Sequence, residues 1–131
     1  VGHDMLNMLI DSDSALGSAL IILSAVLIAP VLEEAIFRGL LQSVLVEWFG
    51  PSMRWGVVLV AAMLFALVHI SAVPEGAEVQ VLFGLFVFGG VLGWLYERTG
   101  SLWPSIMVHI GFNALNVIVA LSTAVPAQAT P

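Results

Sequence analysis

Apolar residues fill four stretches of the chain, 15–32, 57–70, 79–96 and 102–121, parted by short polar or turn-forming segments. Each approaches the ~20 residues that carry an α-helix across ~30 Å of hydrocarbon. Ser14 is placed to cap a first helix reaching about residue 29, where Pro30 removes a backbone donor and interrupts or restarts the helix. A second helix then covers 31–48. Gly50-Pro51-Ser52 reads as a turn, with Ser52 capping a third helix that ends near His69 or Ile70. Pro74, Glu75 and Gly76 mark a loop before a fourth helix over 77–97, and Ser101 with Pro104 opens a fifth reaching about residue 121.

These signals predict an all-α fold, a polytopic transmembrane bundle of about five helices with a polar site buried between them. Residues 1–13 read as a polar N-terminal segment, 14–122 as the core, and 123–131 as a disordered tail. Depth favours the break at Pro30. If 14–48 crossed as one span, Glu33 and His69 would fall toward opposite faces, roughly 20 Å apart at the helical rise; five helices put both at one face. On that count Arg54, Arg98 and the acidic N-terminus share one side, and Glu75 and Glu78 lie on the other with the turn at Pro30. The positive-inside rule then sets the arginine side in the cytoplasm. In the fourth helix, the Gly89–Gly93 spacing allows a neighbouring helix to approach closely.

Composition agrees with membrane residence. Of 131 residues, 60% are hydrophobic and 9% are charged, against about 25% charged in soluble proteins. The expected location is integral and multi-pass, in the cell membrane if the source is bacterial. Without cysteine there is no disulfide framework, thiolate zinc site or cysteine nucleophile. The net charge is −6 and lysine is absent, so no basic patch serves nucleic acid. The acidic opening also lacks the positive charge of a signal peptide.

Against this background, six polar side chains interrupt apolar helices: Glu33, Glu34 and Arg38 in one segment, His69 in another, His109 and Asn113 in a third. A charged residue at the bilayer centre costs about 2.5–3.5 kcal/mol on insertion scales, so three within a turn and a half demand pairing or function. Glu34 and Arg38, four apart, share a helix face and form a hydrogen-bonded ion pair. Glu33 projects about 100° away and keeps a free carboxylate, which makes it the better general base. His109 and Asn113 are also four apart and offer an imidazole and an amide to one substrate atom, as an oxyanion donor pair does. Phe65, one turn before His69, reads as packing. A water between Glu33 and His69 could attack a peptide carbonyl without a covalent intermediate, whereas neither Ser71 nor Ser105 stands next to an obvious base.

At these residues the chain resembles the CAAX prenyl protease and bacteriocin-processing family, also called CPBP or Abi. Its three motifs occur in order: two glutamates with an arginine four after the second (Glu33, Glu34, Arg38), Phe-x-x-x-His (Phe65, His69) and His-x-x-x-Asn (His109, Asn113). Ala29-Pro30, Phe37-Arg38-Gly39 and the run from Arg98 to Ser105 are also similar to the family's pattern. The resemblance implies an intramembrane endopeptidase acting on a membrane-associated protein or peptide, prenylated CAAX substrates being one branch. It implies catalytic Glu33, His69, His109 and Asn113, supported by Glu34, Arg38 and Phe65, and further helices ahead of the core.

The family has been described both as metalloproteases and as glutamate-dependent proteases. Should zinc be the cofactor, Glu33, His69 and His109 are its candidate ligands. The absence of a His-Glu-x-x-His helix and the poor affinity of an asparagine amide for zinc favour catalysis without a cofactor. Two other readings remain: a non-catalytic binding or bacteriocin self-immunity protein that uses the same pocket, and a proton or cation pathway, which the lack of further ionisable steps across the bilayer disfavours.

Overall fold

The computed structural model describes residues 15–73 and 75–124. The proposed Ser14 cap, the segment 1–13 and residues 125–131 lie outside them. Four helices long and apolar enough to cross a membrane make up the described fold: α1, Ala15–Phe49; α2, Arg54–Val68, entered through a 3₁₀ turn at Pro51–Met53; α3, Glu78–Thr99; and α4, Leu102–Ala124. The protein is an all-helical, multi-pass integral membrane protein. Residues 123 and 124, expected in the tail, belong to α4.

The expected break at Pro30 is absent. All 35 residues of α1 form one helix, about 52 Å long at 1.5 Å per residue, well over the ~30 Å hydrocarbon core. Two wider stretches of π pitch, Ser24–Ile28 and Ala35–Gln42, interrupt its α geometry. A proline ring inside an α-helix clashes with the carbonyl four residues back. The wide turn just ahead of Pro30 makes room for the ring, so the helix continues.

A single α1 nevertheless brings Glu33 level with His69, because depth is counted from the turn at Gly50. Glu33 precedes that turn by nearly as many residues as His69 follows it, and α2 runs back along the C-terminal half of α1. The continuous helix also moves the start of α1 to the Glu78 side of the bundle, opposite Arg54 and Arg98. All four tryptophans, Trp48, Trp55, Trp94 and Trp103, gather toward the arginine end, where amphipathic rings sit at a membrane interface.

Packing closes a ring in which α1 touches α2, α2 touches α3, α3 touches α4, and α4 returns to α1. Large apolar side chains such as Leu59, Leu115 and Ile118 face outward, toward lipid. Among the described residues the interior is small: Val57, Val58, Ala61, Ala62, Phe65 and Ala66 of α2 press on α3, whose Gly89 and Gly93 are buried. A Cβ on Gly89 would stand 3.2 Å from the Ala62 Cα, and one on Gly93 would stand 2.8 Å from Gln42 Oε1 and 3.0 Å from Val58 Cγ1. The expected close approach thus occurs on two sides, α2 and α1. Gly100, at φ 64° in the left-handed region, ends α3 and hands the chain to α4 through a turn that favours glycine.

Gly93→Ala is expected to destabilise the bundle by about 1–3 kcal/mol, because Gln42 must leave its place. Gly90→Ala, where a Cβ meets nothing within 4 Å, should be neutral or slightly stabilising. Unfolding of both variants in detergent measures the contrast.

Candidate active site

Glu34, Arg38 and Gln42 succeed one another at four-residue intervals on the buried face of α1. Arg38 Nη1 donates to Glu34 Oε1 at 2.9 Å, which realises the expected ion pair, and Nη2 donates to the Gly89 carbonyl at 2.9 Å. Gln42 Nε2 donates to the Gly93 carbonyl at 3.2 Å and to Glu97 Oε1 at 2.9 Å. Glycine at 93 is what lets Gln42 of α1 come near enough to use that carbonyl, whereas the close approach at Gly89 is to α2. The Arg38 guanidinium also lies over the Phe65 ring, 4.9 Å from its centroid.

The same Glu34 oxygen that receives Arg38 also receives His109 Nδ1 at 2.9 Å. Paired with Arg38, Glu34 is a carboxylate and can only accept, so His109 carries a proton on Nδ1 and turns Nε2 toward Glu33, 3.6 Å from its Oε2. His69 is oriented in the same way by a different acceptor. Its Nδ1 donates to the Phe65 carbonyl at 2.7 Å, leaving Nε2 3.7 Å from Glu33 Oε2. Each ring is tied by its outer nitrogen and presents its inner one to a single carboxylate oxygen.

Glu33 Oε2 accepts no hydrogen bond among the described residues. Separations of 3.6 and 3.7 Å exceed a direct hydrogen bond. Phe65, with 1% of its surface exposed, packs against both imidazoles, at ring separations of 4.8 Å to His69 and 5.8 Å to His109. Phe88 adds an edge contact to His109 at 5.2 Å.

A cavity of about 350 Å³ opens beside this group. Glu33, His69, His109 and Asn113 all line it, so the four side chains named from the sequence meet at one chamber. The remaining wall is largely apolar, with Val81, Leu85, Phe88, Phe112, Val117 and Ala120. Asn113 Nδ2 donates to the Ala25 carbonyl of α1 at 2.9 Å, a partner that its spacing from His109 did not reveal. Ser105 is fully buried with its hydroxyl donated to the Leu92 carbonyl at 2.9 Å, a helix-to-helix bond.

Sequence reasoning passed over Gln42 and the Ser43–Tyr96 contact at 2.9 Å, and it weighed Ser105 only as a nucleophile. Gln42 could have been found as the next four-residue step after Glu34 and Arg38. Among the described residues, no three His, Asp or Glu side chains are gathered as a cage for a metal ion.

Residues 15–115 match the family described as type II CAAX prenyl endopeptidase Rce1-like. The chain belongs to that family. All three motifs fall inside the matched region. Over 102 residues the chain is 28% identical to a Bacillus subtilis (strain 168) protein named "Putative membrane peptidase YdiL", covering 78% of this chain and 38% of that protein. It thus spans well under half the length of this relative. No solved structure matches.

Glu34→Ala is expected to cost about 3–5 kcal/mol, because it strands the Arg38 guanidinium in the interior and releases His109. Glu34→Gln, which keeps the shape and an acceptor, should fall between Ala and wild type when unfolding is followed in detergent.

Proposed function

We propose that this Rce1-like chain forms the catalytic core of an intramembrane endopeptidase in which Glu33 activates water to cleave a membrane-associated protein or peptide. The supporting observation is the unbonded Glu33 Oε2 facing two imidazole nitrogens at the edge of the cavity. A water held on the cavity side of the Glu33 carboxylate and His69 Nε2 donates one hydrogen to each and turns its lone pair toward the cavity. Attack on the scissile carbonyl forms the new C–O bond while Glu33 takes the proton. Collapse of the tetrahedral intermediate breaks the C–N bond, and Glu33 returns the proton to the leaving amine. Neither a covalent acyl-enzyme nor a metal is required.

His109 and Asn113 supply the oxyanion donors. With Nδ1 bound to Glu34, His109 serves this task through Nε2 when that nitrogen carries a proton.

The apolar cavity wall supports a substrate held by hydrocarbon contacts, such as a lipid-anchored or transmembrane peptide, with prenylated CAAX proteins as one class. A non-catalytic binding or immunity role would leave the free carboxylate without a task.

Glu33→Gln is expected to lower cleavage of a membrane-anchored peptide by about 10²–10⁴-fold while leaving unfolding in detergent unchanged. Retained cleavage overturns the mechanism, and binding or protection that survives the substitution in a chain that never cleaves favours the immunity reading. Exhaustive chelation should leave wild-type cleavage intact; loss of activity that zinc restores would overturn the metal-free assignment.

A further inference from the structure

Asn113 reaches across from α4 to a carbonyl that a regular helix would have used for itself. At α pitch the Ala25 carbonyl would receive the Ala29 N–H, but Ala29 N–H bonds to the Ser24 carbonyl instead, at π pitch. At that pitch the next donor in line for Ala25 is residue 30. Residue 30 is Pro30, which is fully buried and has no N–H. The Ala25 carbonyl is thereby left for a donor outside the helix, and Asn113 Nδ2 fills the position at 2.9 Å.

We propose that Pro30 is a positioning residue for Asn113. By withholding a hydrogen at the π turn, it keeps one main-chain acceptor open on α1, and that acceptor fixes the Asn113 amide. A carbonyl only accepts, so it dictates which end of the amide faces α1: the nitrogen turns to Ala25. One amide hydrogen is held there, and the second remains for the cavity that Asn113 lines. The role in turnover rests on the endopeptidase reading above, in which that second hydrogen meets the oxyanion; the hydrogen bond itself does not. Pro30 touches no reacting atom and acts through Asn113 alone.

The experiment separates the two. In the full chain labelled with ¹⁵N-asparagine in detergent, the Asn113 side-chain resonance, assigned by its loss in Asn113→Ala, reports the bond to Ala25. Pro30→Ala restores a competing N–H, and the Asn113 amide should shift and lose its protection from hydrogen exchange. Lactic acid at position 30, joined through an ester, brings no N–H and should retain the wild-type resonance without the proline ring. In cleavage assays Pro30→Ala and Asn113→Ala should each lower kcat at least tenfold with KM little changed. The double variant should be no slower than the slower single one.

An unchanged Asn113 resonance in Pro30→Ala overturns the proposal, as do rate losses that multiply in the double variant. Cleavage retained by Glu33→Gln would instead defeat the endopeptidase reading, and the resonance test would stand apart from it.

Discussion

The structure depends on one buried contact: a carboxylate oxygen of Glu34 that accepts from both Arg38 and His109. Breaking one member of a desolvated ion pair leaves a charge stranded in a low-dielectric interior, so each partner holds the others in place. Arg38 extends the contact to the Gly89 carbonyl on α3, and His109 extends it to α4. Three of the four helices are therefore tied through a single oxygen. This suits a membrane protein, where lipid tails give helices no hydrophobic reason to associate and close backbone approach with interhelical hydrogen bonds must do so.

The same contact prepares the chemistry. Glu34 takes both hydrogen bonds on its Oε1, while Oε2 of the neighbouring Glu33, about a quarter turn away, accepts none. His109 is turned by Glu34 and His69 by the Phe65 carbonyl, so two rings from different helices address the same Glu33 oxygen. Adjacent glutamates thus take different parts because a helix projects them onto different faces: one locks the bundle, the other looks into the chamber.

Much of this was legible in the sequence, and for physical reasons. Apolar length reveals membrane spans because hydrocarbon thickness is fixed. The four-residue spacing of Glu34 and Arg38 reveals a pair because the helix repeat is fixed, and the spacing of His109 and Asn113 likewise puts both on the cavity. Pro30 was misread because its usual effect is local. The π-pitched turn just ahead absorbs the ring without ending the helix, and pitch is a cooperative property of many residues that no single one announces. The bonds of Gln42 and Ser105 were not foreseen because their partners are main-chain carbonyls at Gly93 and Leu92, and a carbonyl occurs at every position of a sequence. The tie between Asn113 and Ala25 is hidden for the same reason.

The central claim is that both imidazoles are tied through Nδ1 and present Nε2 to Glu33. Nitrogen-15 NMR of histidine side chains in detergent reads this directly, since the chain has three histidines and substitution assigns each. The account predicts a proton on Nδ1 of both His69 and His109. A neutral ring at either position with its only proton on Nε2 would contradict it.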